Sequence, residues 1–412
     1  MAHPTSVQKS KSWQTPLLVI AAGCLIAMIG FGIRSVFGLF LEPMTTSHGW
    51  TRETFAIAMA IQNLLWGIGV PIAGALADKH GPMRVLSVGA VIYAIGVWGM
   101  AVTDSSMGLH LFGGLLTGLG IAFTAFSLAL AAMAKIVGPE RRTLVLGLGT
   151  AAGSLGQVIF SPLGQQFIAS FGWQSALMIL AATALLIIPL SLCLPDNQSH
   201  TGEAASNQTL NEALREALGH RGFVLLTVGF FVCGFHVAFI TVHFPAYVKD
   251  LGLAPHVGAY ALSIIGLFNI AGSFLSGAAG TRWSKKSGLA FIYFTRAIVI
   301  TALLLSPKTE LTIYLFAGAM GILWLSTVPL TSGIVAQVFG VRYMATLFGI
   351  VFFSHQIGSF LGVWLGGRLY DTTGTYDAIW WAGVVLGLLA AFIHLPINEH
   401  PLPRLALKAS QS

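Results

Sequence analysis

The chain of 412 residues is 55% hydrophobic and only 8% charged, with a formal net charge of +7 and a mean hydropathy of +0.81. That is too apolar for a soluble domain, whose surface needs charge, and it predicts an all-α membrane protein. The positive balance comes from loops gathered on one side of the bilayer, so no nucleic-acid partner is expected.

About 20 apolar residues in helical form cross ~30 Å of hydrocarbon. Twelve such runs follow one another, near 16–41, 54–77, 84–103, 109–134, 144–168, 173–194, 222–248, 257–280, 288–306, 311–337, 344–367 and 378–396. The first is too long for a cleaved leader and lacks a small-residue cleavage site. It contains GFGIRSVFGLF (30–40), whose one charge is Arg34. Span two carries the amide pair Gln62 and Asn63, and span four carries Phe123 and Phe126. After span six the longest polar stretch, Asp196 to Arg221, links residues 1–195 to residues 222–412, and its TLNEALREAL segment predicts a short amphipathic helix. Span seven holds His236 and His243, span eight Asn269, span nine Arg296, span ten Trp324 and span eleven His355. Cys24, Cys193 and Cys233 all fall inside spans, where packing is expected rather than a disulfide.

With twelve spans, alternate loops lie on opposite sides. One side, with both termini, holds Lys9, Lys11, Lys79, Arg84, Lys135, Arg141, Arg142, Arg215, Arg221, Arg282, Lys285, Lys286, Arg342, Arg404 and Lys408. The other holds Arg52, Lys249, Lys308 and Arg368. The excess marks the first side as cytoplasmic.

Displaced by 202 positions, the chain matches itself. Gly32, Phe37 and Pro43 meet Gly234, Phe239 and Pro245, while Gly147, Gly156, Gly164 and Gly172 meet Gly349, Gly358, Gly366 and Gly374. Parallel six-helix repeats are one plan of secondary transporters, with the substrate site near the midplane between the halves. The loop GALADKHGPMR (74–84) then resembles the cytoplasmic signature of the major facilitator superfamily, carried by Gly74, Asp78, Lys79, Gly81 and Arg84. The resemblance implies twelve transmembrane helices in two pseudo-symmetric six-helix bundles, with Asp78 as part of a latch on conformational change. The later segment GAAGTRWSKKS has Thr281 where the acid would stand, so any latch is asymmetric.

FGLFLEPM and GWTRETFAIAMAIQNLLWG (37–67), with HQIGSFLGVWLGGRLYD (355–371), resemble the bacterial monocarboxylate and oxalate/formate branch of that superfamily. That resemblance implies a carrier of small carboxylates in a bacterial inner membrane, working by proton symport or by exchange. The chain departs from the branch in having Asn269 where those carriers usually place an arginine in span eight. His355 stands roughly where the oxalate carriers have a lysine.

A charge at mid-bilayer costs about 2.5–3.5 kcal/mol on insertion scales, so it needs a partner, water or a function. All 14 Asp and Glu residues fall in loops or at span ends, whereas Arg34, Arg296, His236, His243 and His355 lie inside spans. The missing counter-charge is most simply the cargo, a small organic anion. Arg34 would grip its carboxylate with a planar fork, unless the side chain snorkels to the outer headgroups. The repeat maps Arg34 onto His236, which either adds a pH-dependent contact or bonds a backbone carbonyl. His355 is the expected proton carrier, with structural hydrogen bonding as the other reading; His243 reads as an outer-gate or interfacial residue. For Arg296, snorkelling or helix packing comes before substrate contact. Gln62, Asn63 and Asn269 are candidate donors to a second cargo oxygen, and Trp324, Phe123 and Phe126 a candidate apolar wall.

GLGTAAG (147–153) follows no strand and cannot be a dinucleotide loop, and no phosphate-binding GKS or GKT is present, so neither an enzyme nor an ATP-driven pump is expected. No cofactor or metal site is expected, and the protein should act as a monomer in the lipid bilayer. An anion exchanger or an aromatic-acid carrier remains open. A drug exporter fits less well, because cationic drugs call for an acidic group in the cavity.

Overall fold

The computed structural model describes residues 15–136, 139–195, 209–340 and 343–403, leaving aside the side chains at 78, 131, 134–136, 139–146 and 345. Among the described residues there is helix and no strand. Eleven helices among the described residues are long and apolar enough to cross a membrane. One of them, Pro139–Leu185, is two spans run together: Gly172 breaks it with φ 79° and ψ 161°. Counting its halves separately gives the twelve spans expected. Their outward faces stay apolar, with Phe274, Phe291, Leu315 and Phe392 exposed, as hydrocarbon contact requires.

The 202-residue repeat has a structural meaning. Gly156 of span five lies against the backbone of span one at Met28 and Gly32, and Gly358 of span eleven lies against span seven at Phe231 and Phe235. A Cβ at either glycine would strike those atoms, so the same close crossing is built once in each half. Gly172 and Gly374, the last pair of the repeat, both adopt positive φ (79° and 74°) where a span ends, a conformation that only glycine adopts cheaply.

Two spans are interrupted. Span four runs Ser106–Leu109, a π-helical His110–Leu116, Thr117–Phe123, and then Phe126–Ile136 after a break at Thr124. Span ten runs Glu310–Leu323 and resumes as Thr327–Phe339. Thr124 plus 202 is Ser326, so the breaks are themselves a repeated feature. The predicted linker helix is Leu210–Gly219, started by a capping box in which Thr209 and Glu212 satisfy each other's backbone N–H. Residues 196–208 of the linker lie outside the described residues.

The halves meet along spans two and eleven and along spans five and eight. At mid-depth Asn269 donates to Ser154 Oγ (3.0 Å), Gln157 donates to the Leu262 carbonyl (2.9 Å) and Ser263 donates to the Val158 carbonyl (2.8 Å). From there the cross-links continue toward the end opposite the linker helix. In the other direction Gly67 packs against Gln356, but Gly74 and Gly349 have no atom of the described residues within 4 Å of where a Cβ would stand. Among the described residues the hydrogen bonds and ion pairs between the halves lie at mid-depth and at the end opposite the linker, so the linker end is the looser of the two.

Candidate functional site

Arg34 is 8% exposed, and that exposure opens into a small hollow lined by Ala27, Gly30, Phe31, Trp66, Ile121, Thr124, Ala125 and Phe126. Its NH2 donates to Asn63 Oδ1 (2.9 Å), and its guanidinium carbon lies 4.4 Å from the centre of the Trp66 ring and 5.7 Å from that of Phe31. Asn63 is aimed by its own amide, which donates to the Met59 carbonyl (2.8 Å). A cation over an indole face gains about 0.5–2 kcal/mol, and the amide oxygen is a neutral acceptor. Among the described residues no carboxylate is paired with Arg34.

The break in span four completes this wall. Phe126–Ile136 begins at the hollow, where Thr117–Phe123 ends, so backbone groups of the break at Thr124 and Ala125 lie beside the space that Arg34 faces. Arg34, Asn63 and this helix start come from spans one, two and four. Together they make a surface suited to an anion with an apolar body.

The remaining sequence expectations fare differently. Gln62 points away from the hollow and donates to the Gly113 carbonyl (3.0 Å) of span four. Side chains one residue apart on a helix diverge by about 100°, so Asn63 and Gln62 cannot share a face. Phe123 packs behind the wall against Gly89 of span three, whereas Phe126 lines it. Asn269 is a joint: besides reaching Ser154, its Oδ1 accepts from the Leu325 N–H (3.0 Å) and from Ser273 Oγ (3.1 Å). Trp324 stands in the break of span ten and is 2% exposed.

His236 does not approach Arg34. It is buried in the second half, its Nε2 bonded to the Gly383 carbonyl (2.8 Å) of span twelve, which is the backbone alternative left open by the sequence. The offset places both residues at one height, but imidazole is short, and Gly383 leaves a carbonyl bare beside it. His355 is likewise turned inward, stacked on Phe352 (5.6 Å) and tilted against Phe230 (5.0 Å). Its Nδ1 has no hydrogen-bond partner among the described residues. Arg296 is fully buried and packs within the bundle: NH2 donates to the Leu323 carbonyl (2.6 Å), to the Trp324 carbonyl and to Cys233 Sγ (3.7 Å). It caps the helix end left open by the break in span ten, and it does not reach the hollow.

At the closed end, residues that the sequence placed only in loops form a lock between the halves. Arg52 of span two holds Asp250 of span seven with two bonds (2.6 and 2.7 Å), donates to the Tyr376 hydroxyl (2.9 Å) and lies 3.7 Å from the Tyr370 ring centre. Asp371 accepts the backbone N–H groups of Arg52 and Glu53 (3.1 and 2.7 Å). Glu53 accepts from Trp364 Nε1 and Arg368 (3.0 Å each), and Lys249 pairs with Glu42 (2.6 Å). Burial holds the Tyr376 hydroxyl above the ordinary phenol range even though neighbouring Arg52 pulls the other way, so it remains a donor. Of the cytoplasmic signature, Gly81 supplies the turn between spans two and three with φ 87°. Arg84 is exposed, and the Asp78 side chain lies outside the described residues.

Twelve spans in two repeated halves, locked together at one end, have the build of a membrane carrier. The Major Facilitator Superfamily model matches residues 20–362 and, separately, 226–411, and the chain belongs to that family, whose members are carriers and not enzymes. It is 27% identical over 376 residues to Monocarboxylate transporter 13 of Rattus norvegicus, covering 88% of this chain and 84% of that one. It is 26% identical over 381 residues to the uncharacterized MFS-type transporter YcxA of Bacillus subtilis (strain 168), covering 88% and 90%. Among solved structures, a bacterial homologue of the human lysosomal transporter Spinster, inward-facing and unoccupied, superposes with a TM-score of 0.74 at 16% identity over 94% of this chain and 97% of that one. The chain is thus a multi-pass transporter of small organic substrates resembling the monocarboxylate branch.

Proposed function

We propose that this carrier moves a small monocarboxylate-like anion by alternating access, in symport with a proton, through a bacterial inner membrane in which both termini are cytoplasmic. The observation that carries the reading is Arg34: a buried guanidinium facing a small hollow, with an amide, two aromatic rings and a helix start around it and no paired carboxylate among the described residues. A carboxylate entering the hollow supplies the missing charge, and its apolar remainder would lie toward Ile121, Ala125 and Phe126. The monocarboxylate carriers among the relatives agree with this substrate class. With the termini inside, the loosened end faces the cytoplasm and the Arg52 lock faces outward, so the conformation is inward-facing. His355, with one ring nitrogen unpartnered, is the residue proposed to carry the proton. The latch of Gly74, Asp78, Lys79, Gly81 and Arg84 is proposed to act at the cytoplasmic end, and the carrier to work as a monomer.

The test is uptake into liposomes of labelled lactate, pyruvate, oxalate, benzoate and a cationic dye by the purified protein and by Arg34→Gln. Uptake of at least one monocarboxylate, lost in Arg34→Gln and without dye transport, is expected. Dye uptake, or anion uptake indifferent to Arg34, contradicts the reading.

A further inference from the structure

His243 is fully buried in span seven, fitted into space that Gly366 leaves by having no side chain. Its Nε2 lies 2.8 Å from the Val363 carbonyl and its Nδ1 lies 3.0 Å from the Tyr376 hydroxyl. A carbonyl can only accept, so Nε2 carries a hydrogen. In the neutral ring Nδ1 is then an acceptor, and the Tyr376 O–H donates to it. The Tyr376 oxygen, its hydrogen so committed, accepts from Arg52. The hydrogen bonds therefore run in one direction, from Arg52 to Tyr376 to His243 to Val363, across the boundary between the halves.

A proton added to His243 reverses the middle of this chain. Nδ1–H would then face an oxygen that already donates toward it, and the Tyr376 hydrogen would lose its acceptor. The new charge would also stand near the Arg52 guanidinium. The other charged and titratable groups at this end are Glu53 on span two, Lys249, Asp250 and Tyr247 on span seven, Arg368, Tyr370 and Asp371 on span eleven, and Asp377 at the start of span twelve. Of the nearby carboxylates, Asp250 is taken up by Arg52, Asp371 by two backbone N–H groups and Glu53 by Trp364 and Arg368, while Asp377 is exposed and the ring's own partners are Tyr376 and Val363. Once the halves separate, water can take the ring's second hydrogen.

We propose that His243 is the proton sensor of the outer gate: the neutral ring completes the lock between the halves, and its protonation from outside opens it. The proposal rests on the alternating-access reading, to which it adds a way for an external proton to present the empty site outward. Because only the closed form excludes the proton, the open-to-closed ratio should rise as pH falls, by at most about tenfold per pH unit for one proton.

The test needs no substrate, and so fails or succeeds separately from the transport assay. Spin labels at Thr46→Cys and Thr373→Cys, on exposed positions of the two halves at the locked end, are introduced after Cys24, Cys193 and Cys233 are replaced. Double electron–electron resonance then measures the distance distribution between pH 8 and 5. The long-distance population is expected to grow with acidification in the parent, to stay flat in His243→Gln, and in Glu53→Gln to be larger throughout with its pH slope kept. If His243→Gln does not fold, His243→Asn serves in the same titration. A flat parent profile, or a histidine variant that keeps the parent slope, overturns the proposal.

Discussion

Replacing Arg34 by glutamine removes the one charge in the hollow while leaving a polar side chain of similar reach. Arg34 is 8% exposed and its guanidinium is covered by Trp66, so a carboxylate bound there would be desolvated and not a surface ion pair. Truncating one partner of such a pair costs about 2–5 kcal/mol, which is roughly a 30- to 5,000-fold loss of affinity. Stability should not fall in parallel. Losing the contact with Trp66 costs about 0.5–2 kcal/mol, and no longer burying a charge returns about 2.5–3.5 kcal/mol. Arg34→Lys keeps the charge but loses the fork, and one charge-assisted bond of about 1.5–3 kcal/mol makes it about 10- to 150-fold weaker than the parent. Initial uptake by proteoliposomes, normalised to inserted protein and measured over a range of concentrations of whichever acid the parent transports, gives the comparison. Uptake by Arg34→Gln within about threefold of the parent, a difference under ~1 kcal/mol, would refute the anion clamp.

Gly358→Ala should lower the melting temperature of the solubilised protein, because its Cβ meets the Phe231 carbonyl and overpacking of this kind costs about 1–3 kcal/mol. Gly349→Ala, on the same helix with open space around it, should be neutral or slightly stabilising; equal melting temperatures for the two variants would deny the close crossing of spans seven and eleven. His355→Gln should flatten the pH dependence of net uptake and spare counterflow exchange, which moves no net proton. An unchanged pH profile assigns the proton to another group.

The sequence was most informative where the physics is one-dimensional. Apolar length located the spans, and Gly156 and Gly358 of the 202-residue repeat marked crossings that only hydrogen-sized side chains permit. Span ten's break had a visible cue, since Pro329 sits in the first turn of the resumed helix, where proline is tolerated. Span four's break at Thr124 has no proline and went unread, although it forms part of the hollow. Arg34 was legible because an unpaired charge in hydrocarbon asks for a partner. Trp66, three residues after Asn63, could have been read as lying on the same helical face. His236 misled because a repeat fixes helix and height but not the direction in which a shorter side chain finds its acceptor. The lock was missed for a different reason: Arg52, Asp250, Asp371 and Tyr376 are far apart in the chain, and each alone looks like a solvated loop residue.

The central claim, a small organic anion entering with a proton, predicts a transport step without net charge, since one monocarboxylate and one proton cancel. The most direct measurement is monocarboxylate uptake by proteoliposomes with the pH gradient and the voltage set independently, the voltage by potassium and valinomycin. The account predicts accumulation driven by an alkaline interior and unchanged between zero and negative-inside potentials. Uptake that follows the voltage and ignores the pH gradient would contradict it.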